Sequence, residues 1–311
     1  MELGKPVSGM IFDIQGFSVH DGPGARSLIF LKGCSLNCFW CSNPEGIGQS
    51  NPPLYYSSKC IACGNCIAAC QKDAIKLLDG KPAIDRSICE KCNDHTCIDN
   101  CYTDALRLAG RTISVDQLFS IIQRDRQYWG DKGGITLTGG EPLFQSEFAR
   151  EILKKCYNAG IHTAIETCGH VPWKHFACVI DYLDWIFFDL KHMDPEKHKT
   201  GTGSSNAEII NNVRNLHKSF KGRLVFRLPF IPGYNSSRVN LEGIASLILE
   251  TNWKEINILP LHHLGREKYR LLGREYKAGG FPTPSSGDLA AAKAIFEKSG
   301  IACYIGQDTP F

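Results

Sequence analysis

The sequence predicts an α/β protein, a parallel sheet of repeated strand and helix units interrupted by one small insert. Two observations carry this. From residue 135 onward short apolar runs alternate with amphipathic segments of helical period, and eleven of the fifteen cysteines fall between residues 34 and 101. With 311 residues and 43% hydrophobic content, the chain can bury a sizeable core and carry the insert as a separate unit.

Residues 27–31 form a short apolar run ending at Lys32-Gly33, the pattern of a buried strand that delivers a cysteine loop at its C-terminal end. Asn51-Pro52-Pro53 marks a boundary, after which the composition turns cysteine-dense and loop-rich. The expected division is therefore a small domain over 51–105 within a larger one formed by 1–50 and 106–311. Ser114-Val115-Asp116-Gln117 fits a capping box opening a helix with Leu118, Ile121 and Ile122 on one face. Strands are then expected over 135–138, 161–167, 185–190, 224–229, 256–259 and 302–306, and helices over 146–159, 173–183, 207–220, 240–250 and 287–299. Such units imply right-handed crossovers, about six in number, and periodicity alone does not choose between an open sheet and a barrel. The long connection 261–286 has no clear element of its own and has the length of a binding loop or lid.

The net charge of +3, with lysine and arginine dispersed, gives no reason to expect nucleic acid as a partner. No apolar stretch is long enough to span a bilayer and the opening residues lack a leader pattern, so a soluble cytoplasmic protein without a membrane partner is expected. Fifteen cysteines without a secretion signal favour metal ligation over disulfides. Cys156, Cys168, Cys178 and Cys303 are scattered singly and read as small buried hydrophobes.

Cys34, Cys38 and Cys41 have the spacing C-x3-C-x2-C. Three thiolates hold three irons of a cubane and leave the fourth open to substrate, whereas a structural zinc would need a fourth ligand, for which His20 is the nearby spare. In the insert, Cys60, Cys63, Cys66 and Cys70 follow the bacterial ferredoxin run without its trailing proline, and Cys89, Cys92, Cys97 and Cys101 repeat it with two extra residues. By the ferredoxin rule the fourth cysteine of each run serves the other cluster, so Cys101 joins Cys60, Cys63 and Cys66, and Cys70 joins Cys89, Cys92 and Cys97. Eight thiolates saturate two [4Fe–4S] clusters, which suits electron transfer rather than substrate binding.

The C-x3-C-x2-C loop, preceded by Asp21-Gly22-Pro23-Gly24-Ala25-Arg26, resembles the glycyl radical enzyme activating enzymes of the radical S-adenosylmethionine (SAM) superfamily. Ser42 departs from that pattern, where many relatives carry His. The resemblance implies an incomplete (β/α)6 TIM-like radical SAM barrel with a ferredoxin-like insert, three [4Fe–4S] clusters and SAM. It also implies a glycyl radical enzyme as protein substrate and a flavodoxin or ferredoxin as reductant.

It further implies roles for residues at strand ends. Gly139, Gly140 and Glu141 belong to a GGEP turn that would hold the methionyl amino group. Lys191, in a DLK motif, would meet the SAM carboxylate beside the catalytic Cys34, Cys38 and Cys41. Asp189, Glu166 and Thr167 would enclose a monovalent cation, Arg227 and His262 would add SAM contacts with His263 the competing histidine, and Asp21 would touch the partner. The opening Gly9-Met10-Ile11-Phe12-Asp13, residues 162–167 and the ending at Phe311 look most like the activators of 4-hydroxyphenylacetate and related arylacetate decarboxylases. Activators of choline lyase, glycerol or diol dehydratase and isethionate lyase share the same plan. The alternatives are a radical SAM enzyme acting on another substrate and an iron–sulfur protein that only transfers electrons.

Overall fold

The computed structural model describes residues 6–89 and 91–310; Phe311, the last residue of the ending compared above, lies outside them. The strands are β1 (Ser8–Ser18), β2 (Arg26–Leu31), β3 (Pro53–Tyr55), β4 (Ile75–Leu78), β5 (Lys81–Ile84), β6 (Leu106–Leu108), β7 (Arg111–Ser114), β8 (Gly134–Gly139), β9 (His162–Thr167), β10 (Trp185–Asp189), β11 (Arg223–Phe230), β12 (Glu255–Pro260) and β13 (Ala302–Ile305). The helices are α1 (Asn65–Ala68), α2 (Arg86–Cys89), α3 (Thr96–Asp99), α4 (Val115–Asp125), α5 (Ser146–Asn158), α6 (Trp173–Ala177), α7 (Pro195–Thr202), α8 (Ala207–Ser219), α9 (Arg238–Leu249), α10 (Arg266–Leu272) and α11 (Ser286–Lys298).

One sheet of nine strands runs β13-β12-β11-β10-β9-β8-β2-β1-β7. β2 and β8 to β13 are parallel, and β1 and β7 are antiparallel at one edge. Parallel strands covered by helices read as continuous apolar runs, and the interiors of β8 to β12 are buried accordingly. The core beneath the helices includes Ile29, Leu137, Phe148, Ile152, Ile186, Phe188, Phe226 and Ile258. No helix among the described residues is long and apolar enough to cross a membrane.

Among the helices, three differ from expectation. The helix expected over 173–183 is α6 followed by a separate 3-10 turn at Ile180–Tyr182, because the backbone leaves helical geometry at Val179. The connection 261–286 contains α10, one short helix of seven residues that buries Tyr269, Leu271 and Leu272. α7 has no apolar face and is set instead by Asp194, whose carboxylate caps Glu196 and Lys197 with Pro195 in the first turn. At Ser114 the capping box is present as the spacing predicts.

In the cysteine-dense segment, β3 pairs with β6 and β4 with β5, and three four-residue helices complete it. α10 touches it directly: Arg270 donates to Ser57 Oγ at 3.0 Å, and Arg86 reaches the Leu271 carbonyl at 3.0 Å.

Candidate active site

Functional residues of parallel α/β sheets gather at the C-terminal strand ends, and here they do. β2 is buried along its length and passes through Lys32 and Gly33 into the cysteine loop. That loop is fastened by main-chain bonds from Asn37 to Thr202 (2.7 Å) and from Phe39 to Gly201 (3.0 Å), both at the end of α7. Phe39 and Trp40 pack with Tyr234, and Phe39 stacks on Phe281 at 4.7 Å between centroids. Cys34, Cys38 and Cys41 thereby face one cavity of about 270 Å³.

From the neighbouring strands come the other groups. β8 ends in the glycine turn, where a Cβ on Gly139, at φ 117°, would stand 2.5 Å from the Leu31 carbonyl oxygen, and one on Gly140 would stand 2.3 Å from that of Gly33. Only glycine allows the turn to lie this close to the cysteine loop. Gly139, Gly140, Glu166, Thr167, Asp189, Lys191, Arg227 and His262 all line the cavity. Lys191 Nζ donates to Asp189 Oδ2 at 2.7 Å; burial opposes its charge, yet Asp189 and the nearby thiols hold it protonated above the usual lysine range.

Arg227 pairs with Glu166 and, at 3.4 Å, with Asp21. Burial pushes the Glu166 carboxyl up to about 7 against the pull of Arg227. At Asp21 burial acts in the same direction, but Arg227 and hydrogen bonds from Glu166 and Ser18 win and hold it below the usual range.

Several placements were beyond sequence reasoning. Glu141 does not line the cavity: fully buried, its carboxylate accepts from Leu143 N–H (3.0 Å), Thr167 Oγ1 (2.8 Å) and Cys168 N–H (2.8 Å). Of the paired histidines, His262 lines the cavity, while His263 Nδ1 lies 3.0 Å from the Tyr276 hydroxyl. Asp21 is turned inward to Arg227 and Ser18. Cys168 is buried as expected of a small hydrophobe, yet it lines the same cavity as Cys34. Its place directly after Thr167 at a strand end was the available signal.

In the cysteine-dense segment, Cys60, Cys63, Cys66 and Cys101 line one small pocket, and Cys70, Cys89, Cys92 and Cys97 line another.

The Radical SAM superfamily pattern matches residues 87–241, and that of the 4Fe-4S binding domain matches residues 53–76. The chain is 43% identical over its whole length to all of the 4-hydroxyphenylacetate decarboxylase activating enzyme of Clostridioides difficile (strain 630). It belongs to the radical SAM activating enzymes of glycyl radical enzymes. Two further relatives are the indoleacetate decarboxylase activating enzyme of Tractidigestivibacter scatoligenes, 40% identical over 98% of this chain and 99% of that one, and the isethionate sulfite-lyase activating enzyme of Oleidesulfovibrio alaskensis, 39% identical over 88% and 90%. A radical SAM methyltransferase from Sphaerobacter thermophilus shares the fold, with a TM-score of 0.51 at 16% identity over 90% of this chain and 66% of that one.

The sulfur environment of this activating enzyme fits iron–sulfur clusters. Main-chain N–H groups of Leu36 and Asn43 point at Cys34 and Cys41 sulfurs at 3.4 Å, and those of Ala74 and Leu106 at Cys70 and Cys101 at 3.3 Å. Such donors suit thiolates bound to metal. Burial pushes the Cys41 thiol up to about 12 and Cys38 higher still, so charge from a bound cluster is what would make them ligands. Among the described residues no three Cys, His, Asp or Glu side chains converge to hold a single ion; a cubane takes each thiolate on a different iron.

Proposed function

We propose that this activating enzyme serves 4-hydroxyphenylacetate decarboxylase or a related arylacetate decarboxylase. Full-length identity to activators whose partners are such decarboxylases carries the reading. Isethionate sulfite-lyase is the second candidate partner, at similar identity over a shorter span.

In this reading Cys34, Cys38 and Cys41 hold a [4Fe–4S] cluster with one open iron, and bound cluster and SAM together supply the one-electron cleavage that yields the hydrogen-abstracting 5′-deoxyadenosyl radical. The chain's own groups bind and orient. The Gly139-Gly140 backbone takes the ammonium, Lys191 the carboxylate, and Arg227 and His262 further parts of SAM. Asp189, Glu166 and Thr167 surround a monovalent cation, the two carboxylates facing the cavity with Asp189 paired to Lys191 and Glu166 to Arg227. Trp40, Ile231 and Leu261 wall the cavity with apolar surface and exclude water. Asp21 leaves Arg227 to meet the partner's glycyl loop.

The remaining parts follow. The open parallel sheet is the incomplete (β/α)6 barrel, formed by 1–50 and 106–311, and 51–105 is a two-cluster ferredoxin-like domain. The separation of the eight insert cysteines into two pocket-lining quartets supports the ligand exchange expected from their spacing. These clusters pass electrons from a flavodoxin or ferredoxin in the cytoplasm. Anaerobic reconstitution with iron and sulfide, reduction, and incubation with SAM and each candidate partner tests the reading. A glycyl EPR signal with an arylacetate decarboxylase supports it, and a signal with isethionate sulfite-lyase alone overturns the partner.

A further inference from the structure

The cysteine-dense segment leaves and rejoins the main sheet through a neck, where Asn51 Nδ2 donates to the Gly110 carbonyl at 2.8 Å, Asn51 Oδ1 accepts from Gly110 N–H at 2.6 Å, and Ala109 N–H donates to the Pro52 carbonyl at 3.0 Å. A unit tied by its neck alone is free to swing. α10 supplies a second hold. On one side of it, Arg86 donates to the Leu271 carbonyl at 3.0 Å and also to the Pro53 carbonyl, and Arg270, itself paired with Glu267, reaches Ser57 Oγ at 3.0 Å. On the other side, Lys268 Nζ binds Glu45 Oε1 at 2.6 Å and Asn43 Oδ1 at 2.7 Å, and Arg274, just past the helix, donates to the Pro44 carbonyl at 3.1 Å. Gly265 lies so close to the same stretch that a Cβ on it would stand 2.9 Å from Ser42 Cα. Each grip falls beside a cysteine: Ser57 is three residues before Cys60, Arg86 three before Cys89, and Ser42 to Glu45 follow Cys41 directly.

Resting on the reading of this segment as a two-cluster electron carrier, we propose that α10 is the bracket that holds both cysteine quartets at a fixed reach from the cluster of Cys34, Cys38 and Cys41, with Arg86 and Lys268 as its positioning residues. One electron leaves a reduced cluster of the segment, which returns to its oxidised state, and reduces the SAM-binding cluster; reduced flavodoxin replaces that electron. Transfer of this kind weakens steeply with separation, so a swinging segment would deliver only from the fraction of its positions that lie close enough. The bracket is itself fixed to the cysteine loop, because the connection that carries α10 starts at Leu261 and His262 in the cavity wall and stacks Phe281 on Phe39. Its Lys268 grip is more than a surface pair, since the Glu45 side chain is only 10% exposed and a carboxylate withdrawn from water depends on its cation.

The test mixes reduced flavodoxin with the anaerobically reconstituted full chain and SAM and quenches by freezing, so that EPR follows the SAM-responsive signal apart from the signals of the segment. In Arg86→Leu, Lys268→Met and the double variant, the segment's signals should rise at the wild-type rate, while the SAM-responsive signal should lag severalfold and still reach the wild-type final amount. Pulsed-EPR distances between the two sets of clusters should broaden in the same variants, which a loss of stability alone would not produce. A SAM-responsive signal as fast as wild type in the double variant overturns the proposal, as do distances that stay sharp. If Arg86→Leu loses the segment's signals, Lys268→Met decides by the same two readings. A wild-type rate that persists once Cys63→Ala and Cys92→Ala have removed the segment's clusters overturns the electron-carrier reading and this proposal with it.

Discussion

Arg227 on β11 donates through Nη1 to the carboxylate of Glu166 on β9, joining two strands that β10 separates, and its guanidinium lies 3.8 Å from the ring centroid of Phe187 on the strand between. Both partners are largely withdrawn from solvent, with side-chain exposures of 7% and 20%. Removing one member of a buried pair leaves the other uncompensated, at a cost of about 3–5 kcal/mol. Arg227→Leu should therefore lower the stability of the cluster-free chain by about that much in urea unfolding. Adding Glu166→Gln should restore part of it, since directly paired residues do not act additively.

The same pair gives stability a pH dependence. Glu166 has its carboxyl raised from 4.5 to about 7 in the fold, chiefly by burial, so between those values the folded chain binds more protons than the unfolded one. Stability contributed by Glu166 is present below pH 4.5 and is lost as pH rises through about 7. Melting of wild type against Glu166→Gln across this window should show a wild-type decline that the glutamine variant lacks. Asp21, held below its usual range, acts with the opposite sign at lower pH.

Gly140→Ala should displace the glycine turn, because its Cβ would meet carbonyl oxygens of Gly33 at 2.3 Å and Gly46 at 2.7 Å. Overpacking of this kind costs about 1–3 kcal/mol. Weaker SAM binding in equilibrium dialysis, with the insert clusters still assembled, is the expected outcome.

The two insert quartets predict which cysteine affects which cluster. Cys101→Ala should disturb the same EPR signal as Cys60→Ala, and Cys70→Ala the same signal as Cys89→Ala, although Cys70 follows Cys60 in the chain. Pairing of Cys70 with Cys60 instead would overturn the exchange.

The parallel core was legible because strands buried on both faces write continuous apolar runs, and β8 to β12 lie within one or two residues of the expected ranges. β1 was not, since its residues alternate weakly and many are half exposed. α7 escaped for want of an apolar face, being fixed by a cap, and α10 because its seven residues are too few to write a helical period, although they bury Tyr269, Leu271 and Leu272. The family was legible in the C-x3-C-x2-C loop and the residues before it, and full-length identity to activating enzymes bears that out. What spacing does not carry is direction: that Glu141 turns away from the cavity, that His262 rather than His263 lines it, and that Cys168 lines it too are settled only by the register of β8, β9 and β12.

The most direct test of the account is EPR of a glycyl radical enzyme after anaerobic incubation with the reduced, reconstituted chain and SAM. The account predicts a glycyl signal on an arylacetate decarboxylase, accompanied by 5′-deoxyadenosine, with both lost in Cys38→Ala while the insert clusters remain. No 5′-deoxyadenosine from the reduced wild-type chain, or its release with no glycyl signal on any candidate partner, would contradict it.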